Sequence, residues 1–304
     1  MELFQILSKR DINKDHYMQI VYQWENIFAE KLNLKIVCER KPFFNVPKIS
    51  YAIRHFAQLL FTRKKTLVFV LSAATRTSAY NSKNVVPVII DFWLSKNQIK
   101  DFEKAYSKNP IVLISSKQVY DFLKQNGCKL NIAHFPLSNP DEDVPHSLEF
   151  QKNYDVILIG HQNPVINGFF ETYKESHPNV SYIYRKTENG KVMIYTSDGK
   201  SLGCSIAREM YIDVLRQSKC VFYSTAAIDG VRNYANGFSQ VTPRFFENLS
   251  CGCNIVMRYQ DNPDTRYYEI PQNWENAKDY ETFERLLDDA ICNPVNCALY
   301  KKYL

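Results

Sequence analysis

Residues 237–259 read Gly237-Phe-Ser-Gln-Val-Thr-Pro-Arg-Phe-Phe-Glu-Asn-Leu-Ser-Cys-Gly-Cys-Asn-Ile-Val-Met-Arg-Tyr259. The pattern is a loop, a short helix, a glycine stop and a buried strand. Thr242 is expected to cap the helix, and Pro243 suits its first turn, where a missing N–H is harmless. Phe245 and Phe246 each sit within one helical turn of Leu249, so the three share an apolar side. Gly252 supplies the stop, and Asn254-Ile-Val-Met257 continues as a strand. Glu247 interrupts the apolar side with a carboxylate between Phe246 and Leu249.

Working outward, Tyr154-Asp-Val-Ile-Leu-Ile-Gly160 opens an alternation of strands and helices that leads into this stretch. It continues with a helix at 165–175, a strand at 180–185, a helix at 206–217 and a strand at Cys220–Ser224. Residues 187–203 read as a loop or short hairpin, and 278–304 as two helices. The first half alternates as well. A helix over 14–32 carries Tyr17, Ile20, Val21, Trp24, Ile27 and Phe28 on one face. Leu34–Cys38 reads as a short strand, and the apolar runs at Leu67–Leu71, Val85–Asp91, Ile111–Ser115 and Leu130–His134 read as strands covered on both sides. Helices are expected over 50–63, 95–107 and 116–126. Strands alternating with helices imply parallel sheets with right-handed crossovers.

Between the halves, Phe135–Phe150 contains Pro136, Pro140, Pro145 and the acidic run Asp141-Glu142-Asp143, the composition of a linker. The expected organisation is an N-terminal domain over 1–138, a linker over 139–153, a second α/β domain over 154–277, and C-terminal helices over 278–304 that return to the first domain. Ligands of open parallel sheets gather outside the carboxyl ends of the strands. The fold class expected is therefore α/β, with two Rossmann-like domains facing a central cleft.

The 304 residues are 45% hydrophobic and 23% charged, which is globular. No apolar run reaches the ~20 residues of a membrane span, and the first residues lack a secretory signal pattern. The eight cysteines are dispersed with no CxxC pair, as in a reduced, cytoplasmic protein. The net charge of +6 suits an anionic ligand or a loose peripheral contact with an anionic membrane. Its basic residues follow no nucleic-acid-binding motif.

Asp155–Gly160, Tyr211–Gly230 and above all Val241-Thr-Pro-Arg-Phe-Phe-Glu-Asn-Leu-Ser-Cys-Gly-Cys253 resemble the nucleotide-binding half of GT-B glycosyltransferases. The nearest group is the bacterial cell-surface polysaccharide transferases, with the group 1 and CgeB-like families. The resemblance covers about 155–270. It implies a nucleotide-sugar donor on the second domain, a glycan or lipid-linked acceptor on the first, and transfer without a bound metal or other cofactor. In that family's E-x7-E pattern the second glutamate holds the ribose hydroxyls, and Glu247 stands there. The first contacts the donor sugar, and its position here is Ser239. His161 stands where an arginine often follows the glycine.

A carboxylate suits ribose because two vicinal hydroxyls can both donate to it, each charge-assisted bond contributing roughly 1.5–3 kcal/mol. The turn Gly237-Phe-Ser-Gln-Val-Thr242 leads into a helix N-terminus, whose free amides attract a diphosphate. The donor set expected is Gly160, His161, Arg185, Asp229, Gly237, Ser239, Gln240, Val241, Thr242, Arg244 and Glu247. An inverting transfer needs a base near the acceptor hydroxyl. Asp91 is the first candidate, followed by Phe92-Trp93, which suits stacking on a sugar, and His134 is the second. Asp141-Glu142-Asp143 has the D-x-D spacing of a metal site but sits in the linker, where a solvated role is expected. A non-catalytic nucleotide-sugar or glycan-binding protein on the same fold is the alternative function.

Overall fold

The structure, a computed structural model, describes residues 3–13, 18–39, 64–75, 77–140, 143–160, 162–204, 208–230 and 232–304. The chain divides into two units: Met1–Pro140 with Tyr234–Phe238, and Asp141–Asn233 with Ser239–Leu304. The helix expected over 50–63 lies outside the described residues.

In the first unit, strands β1 (Gln5–Ser8), β2 (Lys35–Cys38), β3 (Thr66–Ser72), β4 (Val85–Asp91), β5 (Val112–Ile114) and β6 (Ile132–His134) form one sheet. Its order is β2-β1-β3-β4-β5-β6, and every pairing is parallel. Thr66–Val70 and Val85–Ile90 are continuously buried, as strands covered on both faces must be. Pro87 lies in this interior strand opposite Val68 of β3, one residue before the Val88–Leu113 pair with β5. Among the described residues, three helices pack with this sheet: α1 (Gln19–Lys31), α2 (Ile99–Tyr106) and α3 (Lys117–Gln125). Ser116 caps α3 by accepting from the Val119 amide at 3.2 Å. Strand β1 goes beyond the sequence expectations. Its polar Gln5 hides the apolar run, and its side chain donates to Thr66 Oγ1 at 3.0 Å inside the sheet.

The second sheet is built from β7 (Tyr154–Leu158), β8 (Tyr182–Glu188), β9 (Lys191–Thr196), β10 (Ser201–Cys204), β11 (Ser218–Ser224) and β12 (Asn254–Arg258), in the order β10-β9-β8-β7-β11-β12. Strands β8, β7, β11 and β12 run parallel, while β9 and β10 extend the sheet antiparallel. The stretch 187–203 is thus largely strand. Its helices are α4 (Pro164–Ser176), α5 (Arg208–Arg216), α6 (Arg244–Ser250), α7 (Pro263–Tyr267), α8 (Ile270–Asn273), α9 (Tyr280–Cys292) and α10 (Cys297–Tyr300). Phe170, Phe222 and Phe283 meet edge to face, with centroids 5.3 Å apart for both Phe170–Phe222 and Phe222–Phe283.

Two expectations need correction. The C-terminal helices belong to the second unit, because Phe283, Leu287 and Ala290 of α9 complete its core with Phe170 and Phe222. The linker expected over 139–153 is largely docked on that unit too. Leu148 is buried, Phe150 lies under Arg216, and Lys152 Nζ donates to the Cys251 carbonyl at 3.0 Å. Gly252 makes room for this docking. It has φ +59, and a Cβ there would sit 2.4 Å from the Leu148 carbonyl oxygen. Gly252→Ala is expected to destabilise the protein by about 1–3 kcal/mol, read as a lower urea midpoint at unchanged slope.

Candidate functional site

In the second unit, β7 is flanked by β8, its successor, and by β11. The chain changes direction across the sheet between β7 and β11, and the carboxyl ends of these strands make the crevice where such sheets take ligands. Gly160 follows β7 with φ +80, and a Cβ there would fall 2.2 Å from Arg244 Nη2 and 2.4 Å from its Cζ. The guanidinium of α6 thus lies directly against the backbone at the strand end, a position only glycine leaves open. Arg185 on β8 is close enough for the two charges to interact. Desolvation, and then the like charge of Arg244, disfavour its protonated form. Gly160, Arg185 and Arg244 are therefore gathered at one sheet edge. Lys186, by contrast, pairs with Glu188 at 2.9 Å on the surface.

Glu247 lies one turn along α6 from Arg244. One of its oxygens is bound by Arg208 Nη1, and Tyr211 Oη donates to the other at 3.3 Å. Arg208 also grips Asp143 through Nη2. The side chains of Arg208, Asp143 and Glu247 are 11%, 14% and 9% exposed, so this triad is nearly dry. Burial opposes the Arg208 charge, but Glu247 and then Asp143 outweigh it and raise its pKa above the ordinary value. Asp143 is thereby corrected from solvated linker to ion-pair partner; Asp141 and Glu142 lie outside the described residues. Sequence reasoning missed Arg208 and Tyr211. Their signal was present, three residues apart on one face of α5 beside the apolar Ile212 and Leu215.

The turn before α6 differs from expectation. Pro243, not Thr242, occupies the cap position, and it makes no side-chain cap bond. The Val241 amide donates to Asp264 Oδ2 at 2.9 Å and the Thr242 amide to Tyr223 Oη at 2.9 Å. In this conformation those two amides are used by the protein and are not presented to an anion. Ser239 is fully buried. Its hydroxyl donates to Thr225 Oγ1 at 2.7 Å, and its carbonyl accepts from Asn262 Nδ2 at 2.9 Å. Gln240 is buried beside it. Gly237 belongs to the Tyr234–Phe238 segment of the first unit, apart from the rest of the expected donor set. His161 lies outside the described residues.

Asp229 adopts a left-handed conformation, φ 59 and ψ 20. Its carboxylate takes two bonds from Arg258, both 2.7 Å, and one from Asn163 Nδ2 at 2.8 Å. Asn163 meanwhile caps α4 by accepting from the Val165 and Ile166 amides. Asp229 thus ties the segments following β7 and β11 to the end of β12.

In the first unit, Asp91 ends β4 and His134 ends β6. With β5 between them they stand roughly 10 Å apart along the edge, two strand spacings, so a single hydroxyl meets only one of them. Burial lowers the His134 pKa, a backbone hydrogen bond at Ser115 working against it, which keeps the imidazole neutral near pH 7. Phe92 is 1% exposed and belongs to the core, whereas Trp93 is only partly buried.

Among the described residues no helix is long and apolar enough to cross a membrane. No protein family and no curated protein matches the chain in sequence. Solved structures do match in fold. One is described as a UDP-N-acetylglucosamine 2-epimerase from Listeria monocytogenes, with TM-score 0.50, 12% identity, and coverage of 99% of this chain and 91% of that one. An α,α-trehalose-phosphate synthase (UDP-forming) from Burkholderia vietnamiensis has TM-score 0.47 at 12% identity, over 97% of this chain and 82% of that one. Anabaena HepE, in complex with UDP and glucose, has TM-score 0.43 at 10% identity, over 100% of this chain and 95% of that one. The fold is of the GT-B type, an α/β architecture with two Rossmann-like units.

Two outcomes follow from the triad and from Asp229. Arg208→Ala leaves two nearly dry carboxylates without their counter-charge, and is expected to cost about 3–5 kcal/mol in chemical denaturation. Asp229 has its pKa lowered, first by Arg258 and, against burial, by Asn163. A depressed carboxylate contributes stability that is full above its unfolded pKa near ~3.9 and is lost as pH falls through the folded value. Asp229→Asn should therefore lose stability near neutrality and show a shallower decline below about pH 4, measured by urea melts across pH.

Proposed function

We propose that the protein is a glycosyltransferase that moves a sugar from a nucleotide-sugar to a glycan or lipid-linked acceptor. The observation that carries this reading is the placement of Arg244 and Glu247 on one short helix, with Arg244 lying on Gly160 beside Arg185 at the carboxyl edge of the second sheet. Residues three apart on a helix have Cβ atoms about 5–6 Å apart. A cation and a carboxylate so spaced suit a nucleoside diphosphate, whose phosphates are joined to a ribose diol. Glu247 would accept from the ribose hydroxyls with acceptor positions not taken by Arg208 and Tyr211, since a carboxylate has about four. Arg185 and Arg244 would neutralise the leaving diphosphate, the role assigned to them here in place of a metal. Charge held in position where it develops is the largest lever in such a transfer.

On the first unit, Asp91 or the neutral His134 would take the proton of the acceptor hydroxyl in an inverting reaction. A role in surface polysaccharide synthesis, a cytoplasmic site and a peripheral contact with the inner membrane extend the same reading. It is supported by the sequence resemblance over about 155–270 and by the GT-B type fold.

A second reading, a nucleotide-sugar-binding protein without turnover, draws on Ser239. The position of the family's sugar-contacting glutamate holds a buried hydroxyl already bonded to Thr225. A panel of nucleotide-sugars with and without saccharide acceptors separates the two, since the transferase reading requires release of nucleoside diphosphate.

Glu247→Gln keeps the shape of the side chain and removes its charge. It is expected to weaken nucleoside diphosphate binding by about 10- to 100-fold, the loss of one or two charge-assisted bonds. The thermal shift given by UDP, GDP or ADP should fall accordingly. An unchanged shift in the folded variant would remove the ribose assignment.

A further inference from the structure

The segment Tyr234–Phe238 comes from the second half of the sequence but folds with the first unit. Phe238 anchors one end. It is buried in the core of that unit, edge-on to Phe92 at 5.6 Å and to Phe122 at 5.0 Å. Asn236 anchors the middle, its Nδ2 donating to the Trp93 carbonyl. Tyr234, held between these anchors and the chain before it, stays 62% exposed. Its ring stands edge to face against Trp93, with centroids 6.0 Å apart and planes at 86°. Two residues of loop thus hold a large ring where it gains little from burial.

We propose that Trp93 and Tyr234 form an aromatic platform that binds a neutral pyranose ring. One face of such a sugar is lined with C–H groups, and these pack on the electron-rich face of an aromatic ring. Two rings at a right angle make a corner, so a sugar lying on one is also bounded by the other. The hydroxyls of the sugar's rim need polar partners, and the exposed Asn236 brings one beside the rings in its amide oxygen, its amide nitrogen donating to the Trp93 and Tyr234 carbonyls. Trp93 follows Asp91 by two residues, which places their Cα atoms within about 7 Å. The platform therefore lies at the carboxyl end of β4, where ligands of a parallel sheet collect.

The size of the patch argues for a sugar over a protein. Two aromatic side chains offer at most about 300–500 Å² between them, well short of the roughly 800 Å² per partner of a stable protein interface. A single pyranose needs only one ring face. The role of this platform as an acceptor site rests on the glycosyltransferase reading; the sugar contact itself does not.

The test uses the full chain and a panel of methyl glucosides, galactosides, mannosides and N-acetylglucosaminides with their disaccharides. Saturation-transfer NMR reports which sugar protons touch the protein, and titration gives the affinity. At least one saccharide should bind through its C–H face. Tyr234→Ala should weaken it about tenfold or more, and Tyr234→Phe should retain it. An exposed tyrosine tolerates both changes, and the thermal shift produced by UDP, GDP or ADP should be the same in wild type and both variants. The proposal is overturned if no saccharide of the panel binds the wild type, or if Tyr234→Ala binds as well as wild type. It is overturned equally if Tyr234→Ala converts a dimer to a monomer in sedimentation with saccharide binding unaltered, because the rings then serve a second copy of the chain. Loss of the platform with nucleotide shifts intact leaves the donor reading standing, and saccharide binding without nucleotide binding has the opposite meaning.

Discussion

The second unit turns on one buried guanidinium. Arg208 is the counter-charge of both Asp143 and Glu247, and all three side chains are nearly removed from water. Such a group is not a source of net stability by itself, since desolvating three charges offsets most of their attraction. Its consequence is geometric. It holds α5 against α6 and fixes Asp143 of the connecting segment to the same point. It also aims Glu247, whose second oxygen receives Tyr211. A nucleotide competing for Glu247 would therefore meet a carboxylate already oriented, with little rotamer freedom left to lose.

Around this point the sheet edge is organised by polar locks. Asp229, Arg258 and Asn163 join three strand-end segments. Thr225, Ser239 and Asn262 fix the turn before α6, and Asp264 and Tyr223 hold its amides. These bonds satisfy backbone groups that would otherwise be costly to bury. Arg185 and Arg244 stand at this edge beside Gly160, and they are the cations that the proposed reading assigns to a diphosphate. The amides of Val241 and Thr242 are turned inward, so in the proposed reading the charge for a diphosphate would come from side chains.

Most of the architecture was legible in the sequence because periodicity and punctuation agreed. The continuous apolar runs of β3, β4 and β11 announce strands covered on both faces, and Gly252 announces the end of α6. What escaped was set by long-range contacts. Strand β1 hides behind Gln5, which is polar only because Thr66 awaits it. Helices α7 and α8 are too short for a periodic signal. Of the proposed donor set, Gly160, Arg244 and Glu247 were named from local pattern, and the fold brings Arg244 of α6 against Gly160 with Glu247 one turn along. Arg208 was not, because an arginine on a helix is ordinary until the fold brings Asp143 and Glu247, 65 and 39 residues away, to either side. The fate of the Val241 and Thr242 amides was equally hidden, since Asp264 and Tyr223 reach them only in the folded chain.

The central claim is that α6 holds a nucleotide by its ribose and phosphates. The most direct test is a crystal structure of the protein grown with a nucleoside diphosphate. The account predicts ribose hydroxyls within hydrogen-bond distance of Glu247, with the diphosphate contacting Arg244 and Arg185 above Gly160. A nucleotide bound elsewhere, with Glu247 still held only by Arg208 and Tyr211, would contradict it.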